Sequence, residues 1–121
     1  MSFPLPFTTL VPAGSQWTYV FTTANGLPAS IAGKVFELVL RDAPASTGTP
    51  AATVSSTAPT SSGSVTVNTG AVTVTAVLSP TATTALTPGS TYALTLWMDP
   101  GDTDATAVVV GLFYVQPAAA P

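Results

Sequence analysis

Acidic side chains cluster in one short segment, DPGDTD, which carries Asp99, Asp102 and Asp104. Loops rich in carboxylate oxygens suit Ca²⁺, but this spacing is not that of an EF-type loop and no glutamate closes it. Pro100 and Gly101 form the residue pair that a type II turn favours. We therefore expect a solvated turn and no bound metal, and the three aspartates are the candidate ligands if a metal site forms.

The chain lacks the residues that most enzymes use to move protons. It has no His and no Cys, and its two basic residues, Lys34 and Arg41, share one segment with Glu37. The commonest general base and metal ligand is therefore missing, and neither a disulfide nor a thiolate site can form. We expect the three charged side chains to form ion pairs on an exposed face. The sequence predicts no enzymatic activity, no cofactor and no small-molecule substrate.

Charge is scarce along the whole chain of 121 residues: 6% of residues are charged, and the net charge is −3. So few basic residues cannot supply the phosphate contacts that drive nucleic-acid affinity, and a negative charge disfavours anionic membranes. The apolar runs are too short for a transmembrane helix, and the N-terminus lacks the basic region of a secretory signal. Because soluble domains usually carry about 25% charged residues, we expect a subunit whose surface is largely covered by neighbours.

The elements that position these residues are strands, because apolar and polar residues alternate with period two. Trp17, Tyr19 and Phe21 share one face of a strand at residues 15–23. Ser79 and Pro80 are an N-cap and a first helical residue, which predict one helical turn over residues 81–85. Further strands are predicted at residues 31–41, 52–56, 64–68, 71–78, 92–98 and 106–115.

The last predicted strand differs from the others because both of its faces are apolar. One face carries Val108, Val110, Leu112 and Tyr114, and the other carries Val109, Phe113 and Val115. Such a strand is either central in its sheet or has one face covered by a partner.

Seven or eight short strands with a single helical turn are typical of an all-β fold, an immunoglobulin-like antiparallel β-sandwich. A jelly roll or a small barrel is the alternative. Since no disulfide can form, Trp17 or Trp97 is expected to anchor the core by packing. We expect one sandwich domain at residues 15–115, between a Pro-rich N-terminal arm at residues 1–14 and an Ala/Pro tail at residues 116–121.

The N-terminal arm interleaves Phe3, Leu5 and Phe7 with prolines. Proline resists helix and favours extended structure, so the arm is expected to be extended. It can fold back on the edge of its own sheet or reach onto a neighbouring subunit. The three apolar residues are the predicted partner contacts of the chain.

Six aromatic side chains raise a second possibility, a carbohydrate-binding or adhesin-like module. At strand spacing they are expected to be core residues, and a sugar site needs at least one Trp or Tyr face open in a groove. The six residues are Trp17, Tyr19, Phe21, Trp97, Phe113 and Tyr114.

Several motifs occur in a familiar order. W-x-Y-x-F precedes an N-G-x-P turn, I-A-G leads into K-V-F-E-L-V-L-R, and L-S-P-x-x-T-x-x-L-x-P-G-x-T-Y-x-L-x-L-W precedes G-L-F-Y-V. This order resembles the small immunoglobulin-like domains of tailed-bacteriophage virions, above all the N-terminal domain of baseplate upper proteins and related short fibre-attachment proteins. The matching residues are Trp17, Gly26, Pro28, Ile31, Gly33, Arg41, Leu86, Pro88, Gly89, Tyr92, Leu94, Gly111, Phe113 and Val115.

The resemblance implies a structural protein of the phage particle, assembled in the host cytoplasm. Its expected partners are other virion proteins and copies of itself in a symmetric assembly. Ala29, Ser30 and Ile31 stand where the family has a more polar segment. We expect a stand-alone domain without a long C-terminal coiled coil or fibre. That expectation favours a capsid decoration or cement protein, or a tail or fibre-attachment adaptor, over a full receptor-binding fibre.

Overall fold

A computed structural model describes residues 7–42, 50–57, 62–101, 103 and 105–117. Their secondary structure is mostly strand, with one α-helical turn and one 3-10 turn, Thr23–Asn25. The elements are β1 (Phe7–Pro12), β2 (Trp17–Phe21), β3 (Phe36–Asp42), β4 (Ala52–Ser55), β5 (Gly63–Asn68), β6 (Thr73–Leu78), α1 (Pro80–Thr84), β7 (Thr91–Met98) and β8 (Thr106–Gln116).

The strands form two sheets, a five-stranded sheet in the order β1-β8-β7-β3-β4 and a three-stranded sheet in the order β2-β6-β5. The chain alternates between the sheets, since β3 and β4 lie in the first, β5 and β6 in the second, and β7 and β8 in the first again. Every pair is antiparallel except β1 and β8, which are parallel. This is the strand arrangement of an immunoglobulin-like sandwich, with the first strand added beside the last. The predicted fold class is confirmed.

A hydrogen bond at the start of β7 also belongs to this architecture. The Tyr92 hydroxyl accepts a hydrogen bond from the backbone N–H of Thr87, at 2.8 Å. A tyrosine at this corner that bonds back to the preceding loop is a hallmark of immunoglobulin-like sandwiches. The bond pins the segment that follows α1 to the five-stranded sheet.

The core lies between the sheets and is closed by aromatic packing instead of a disulfide. The Trp17 ring meets Phe113 edge-on at a centroid distance of 5.3 Å, so the two sheets contact each other there. Trp17 Nε1 donates to Thr9 Oγ1 at 2.9 Å, which satisfies the buried indole N–H. Trp17 therefore anchors the core, whereas Trp97 points out of the sandwich on β7 and is half-buried.

The helical turn forms as its sequence predicts. The Ser79 hydroxyl accepts from the backbone N–H of Ala82, and Pro80 opens the helix, where its missing N–H has no cost. Thr83 is fully buried, and its hydroxyl donates to the Ser15 carbonyl at 2.8 Å. This bond ties α1 to the turn between β1 and β2.

The described part of the N-terminal arm is a strand of the chain's own sandwich. β1 pairs with β8 along its length, from Phe7 opposite Gly111 to Pro12 opposite Gln116. Phe7 is 8% exposed and packs on Tyr19 at a centroid distance of 4.7 Å. The sandwich therefore begins at Phe7, not at the boundary of residue 15 that the sequence predicts. The described part of the arm, from Phe7 onward, folds back on its own sheet edge, which is one of the two expected outcomes, and Phe7 and Val11 reach the core from there.

Candidate interaction surface

Exposed apolar residues are concentrated on one face of the sandwich. We call it the outer face: the side of the five-stranded sheet that points away from the three-stranded sheet. Among the described residues, the large hydrophobic side chains that are exposed on it are Leu10 (57%), Val110 (57%), Leu112 (47%) and Tyr114 (37%). We refer to these four as the apolar stripe. The comparable residue on the other sheet is Val20, which is 46% exposed.

Strand register makes the apolar stripe continuous. Val110, Leu112 and Tyr114 alternate along β8, about 7 Å apart from one to the next, because successive side chains on one face are two residues apart. Leu10 lies on β1 directly opposite Tyr114. Ala93 on β7 flanks Leu112 on the other side. The stripe therefore covers two neighbouring strands and borders a third.

Val108 was expected on the same face and lies elsewhere. The pairing of β7 and β8 shifts register between Leu96 and Trp97, because Leu96 pairs with Val109 and Trp97 pairs with Ala107. Val108 is the extra residue of this β-bulge and packs in the core, where it is 8% exposed. A bulge places two residues opposite one and re-aims side chains in this way.

Two charged residues of β3, Glu37 and Arg41, lie on the outer face, where β7 separates them from the apolar stripe. Glu37 and Arg41 are half-buried and lie two residues on either side of Val39, whereas Phe36, Leu38 and Leu40 point into the core. Val39 is only 6% exposed and is not a member of the core cluster, so its outer-face neighbours cover it. The outer face thus carries one negative and one positive side chain that flank an apolar centre.

Lys34 departs from the expected group of Lys34, Glu37 and Arg41. Its ammonium lies 3.4 Å from Asp99 Oδ2, at the end of the sheet where β3 begins and β7 ends. The other carboxylate oxygen, Asp99 Oδ1, accepts from the Val35 backbone N–H at 3.0 Å, and the Asp99 N–H donates to the Val35 carbonyl at 2.7 Å. These contacts make a latch, defined here as Lys34, Val35 and Asp99.

The contacts of the latch favour the ionised form of the Asp99 carboxyl. The hydrogen bond from the Val35 backbone lowers the pKa of the Asp99 carboxyl below its usual value, and the Lys34 ammonium acts in the same direction. Asp99 also adopts a positive φ of 51°, a conformation that Asp tolerates in turns. Its carboxylate therefore stabilises the fold at this corner.

The structure does not bring the metal candidates together in its described part. Asp102 and Asp104 lie outside the described residues, and Asp99 is engaged by Val35 and Lys34. Within residues 7–42, 50–57, 62–101, 103 and 105–117, no group of three or more His, Cys, Asp or Glu is placed to hold a metal ion.

An open groove of about 490 Å³ lies between β5 and the two residues that follow β4, Ser56 and Thr57. Hydroxyls dominate its polar lining, and its charged group is Lys34, which already pairs with Asp99. The lining residues are Lys34, Val35, Ser56, Thr57, Ser64, Val65, Thr66 and Val67. The lining contains no His, Asp or Glu that could act as a general base.

The aromatic candidates divide between the core and the outer face. Trp17, Tyr19, Phe21 and Phe113 belong to the core or pack against it. Trp97 and Tyr114 point outward, but Trp97 lies opposite Ala107 on β8, seven positions from Tyr114. At the rise of a strand that separation is about 20 Å, so the two rings do not form a shared platform for a sugar.

Of the predicted partner contacts, Phe7 is packed in the core of its own chain, and Phe3 and Leu5 lie outside the described residues. The larger exposed apolar surface among the described residues is the apolar stripe. Three members of the apolar stripe, Val110, Leu112 and Tyr114, are predicted by the sequence, because they lie on one apolar face of the last predicted strand. Leu10 is the member that the sequence analysis missed, because the prolines around it hide a strand pattern only a few residues long.

The chain matches no family model and no curated protein. No helix in the described part of the chain is long and apolar enough to cross a membrane. The geometry of the outer face is therefore the basis for a functional proposal.

Proposed function

We propose that this chain is a non-enzymatic structural subunit of a bacteriophage virion and that it acts through protein–protein contact. The observation that carries the proposal is the apolar stripe, which leaves four large side chains in water on a well-packed sandwich. Covering a large apolar side chain fully is worth about 1.5–3 kcal/mol, so covering these half-exposed ones contributes about 1 kcal/mol each. A partner surface is the natural source of that gain.

The surroundings of the apolar stripe favour packing over other kinds of binding. Thr8, Thr91 and Thr95 lie beside it at paired positions on β1 and β7. Hydroxyl-rich and apolar surface can be covered at a lower desolvation cost than surface that carries many ions. The low share of charged residues, 6% of the chain, fits a protein whose surface is covered by neighbouring subunits.

The virion part of the proposal rests on the resemblance to phage immunoglobulin-like domains. The shared residues belong mainly to the framework of the sandwich: Gly26, Gly33 and Gly89 have positive φ at turns, and Tyr92 forms the corner bond. Such residues support a common architecture. The resemblance alone supports the role within the particle. That role is either a capsid decoration or cement protein, or a tail or fibre-attachment adaptor.

Labelled imaging of particles tests the proposal. Phage particles from a host that carries the gene are purified by density gradient and stained with an antibody against this chain. We expect gold label at regular positions on intact particles and the chain among the particle proteins in mass spectrometry. Recovery of the chain exclusively in the soluble fraction, with unlabelled particles, would reject a virion role.

A pair of variants tests whether the apolar stripe makes the contact. Leu112→Lys introduces a charge on the stripe, and Val20→Lys introduces the same charge at a similarly exposed valine on the other sheet. We expect Leu112→Lys to reduce incorporation into particles, because the buried ammonium would lack a partner, and Val20→Lys to be incorporated normally. Equal incorporation of the two variants would show that another surface makes the contact.

A further inference from the structure

We infer that the partner of the outer face is a second copy of this chain, packed face to face about a two-fold axis at the level of Val39 and Val110. The inference rests on the proposed function and deepens it, since it names one partner for the same face. The two residues lie in one row across the sheet: Val39 is opposite Thr95, and Thr95 is opposite Val110.

The charges of the outer face are arranged for contact with an identical face. Glu37 and Arg41 stand two residues on either side of Val39 on the same strand and face. A two-fold axis in the plane of contact and perpendicular to the strands exchanges the two sides of that row. It therefore places each Glu37 opposite Arg41 of the second copy, twice per dimer. An isologous contact requires self-complementarity of this kind.

The same axis matches the apolar residues. Val110 meets Val110 of the second copy at the axis. Leu112 lies two residues further along β8 and faces Ala107 of the second copy. Aligned sheets pack face to face about 10 Å apart with their side chains interdigitated, which suits Val, Ala and Thr. Trp97 lies in the row of Glu37 and Ala107, so it meets Ala93 of the second copy, and Leu10 and Tyr114 form the rim at one end of the contact.

The size of the outer face fits a specific contact. Five strands at a spacing of about 4.8 Å, each with about six residues at about 3.4 Å, cover about 480 Å². Two such faces bury about 1,000 Å², which is the lower bound for a specific interface. Among the described residues of the outer face, the negative charge of Glu37 balances the positive charge of Arg41. These residues therefore offer no net attraction to a strongly acidic or basic partner.

Sedimentation velocity of the full chain from about 1 to 200 μM, at 150 mM salt, tests the dimer. We expect the wild-type protein to move from monomer to dimer over this range. Val110→Lys places two ammonium groups opposite each other at the axis and should weaken dimerisation at least about tenfold. Val20→Lys, the matched charge on the other sheet, should dimerise like the wild type.

A charge exchange tests the orientation of the two copies. Glu37→Arg sets Arg opposite Arg41 of the second copy, and Arg41→Glu sets Glu opposite Glu37, so each single variant should weaken the dimer. The double variant restores opposite charges and should recover dimerisation, more completely at low salt. Thermal melts and circular dichroism of every variant establish that it is folded. If the double variant dimerises no more tightly than either single variant, the two-fold register is wrong.

The outcomes separate this inference from the proposed function. The inference is overturned if the wild-type chain stays monomeric at 200 μM. It is also overturned if Val110→Lys and Val20→Lys dimerise equally. If a monomeric chain still labels particles and Leu112→Lys is excluded from them, the outer face binds a different virion protein. A dimer that is absent from particles upholds the inference and removes the virion role.

Discussion

Gly111 is the position where a single methyl group should test the architecture most directly. It lies on β8 opposite Phe7 of β1, where the two parallel backbones approach closely. A Cβ atom at this position would overlap the carbonyl oxygen of Phe7 and lie 2.8 Å from its Cβ. These atoms belong to a paired strand, not to the end of a flexible side chain. The substitution Gly111→Ala must therefore push β1 away from β8.

The expected loss of stability follows from what β1 contributes. Phe7 and Val11 are 8% and 2% exposed, and returning two such side chains to water costs about 3–6 kcal/mol if the strand detaches fully. Separation of β1 also breaks the bond from Trp17 Nε1 to Thr9 Oγ1, which contributes about 1 kcal/mol. With partial displacement, we expect Gly111→Ala to lower the free energy of unfolding by about 3–5 kcal/mol. That is a large part of the total for a domain of this size, about 5–15 kcal/mol.

Urea unfolding followed by tryptophan fluorescence measures this loss. Gly101→Ala is the matched control, because an added Cβ there meets no atom within 4 Å. A chain that lacks residues 1–12 completes a double-mutant cycle: it should lose similar stability, and Gly111→Ala in that background should cost less than about 0.5 kcal/mol. Equal unfolding midpoints for Gly111→Ala and Gly101→Ala would refute the pairing of β1 with β8.

Two further substitutions test the latch and the tyrosine corner. Because the native pKa of Asp99 is lowered, its contribution to stability is present above the pKa of the unfolded chain, about 4, and is lost as pH falls through the native pKa. Asp99→Asn should therefore be less stable than wild type at pH 7, and the gap should narrow by pH 2 in thermal melts; a constant gap would contradict this. Tyr92→Phe leaves the Thr87 N–H without its partner and should cost about 1–3 kcal/mol in urea unfolding. Tyr114→Phe, on the exposed stripe, should cost less than about 0.5 kcal/mol, and an equal loss in both would show that the corner bond contributes little.

The fold class is readable from the sequence because most strands carry a clear two-residue alternation. The predicted boundaries fail where the backbone leaves the β region. Residues 31–35 were expected to be strand, but Gly33 has a φ of 73° and the Lys34 N–H bonds to the Ile31 carbonyl, which makes a turn. Val72 was likewise placed in a strand and has a φ of 54° in the turn before β6. A β-branched residue is rare in that conformation, so propensity alone could not predict it.

The candidate surface is partly readable for the same reason. Alternation along β8 indicates that both of its sides are apolar, and the structure assigns one side to the core and the other to the outer face. β1 was not predicted because its pattern lies among prolines, and its pairing with β8 joins residues about a hundred positions apart in sequence. The Val108 bulge and the pairing of Lys34 with Asp99 also depend on distant register. Local patterns do not encode such contacts.

The edges of the five-stranded sheet give a reason why a partner should use its face. An exposed edge strand invites pairing with another chain, and short edges or proline protect against it. β1, at one edge, ends in Pro12, which has no N–H to donate, and β4, at the other edge, has four residues. Strand addition is therefore disfavoured at both edges, whereas the outer face offers Val110 and Leu112 without any such protection. β1 contributes both to the protection of the sheet edge and to the outer face, because it covers the edge of β8 and adds Leu10 to the apolar stripe. Detachment of β1 should therefore weaken the face-to-face contact as well as the fold.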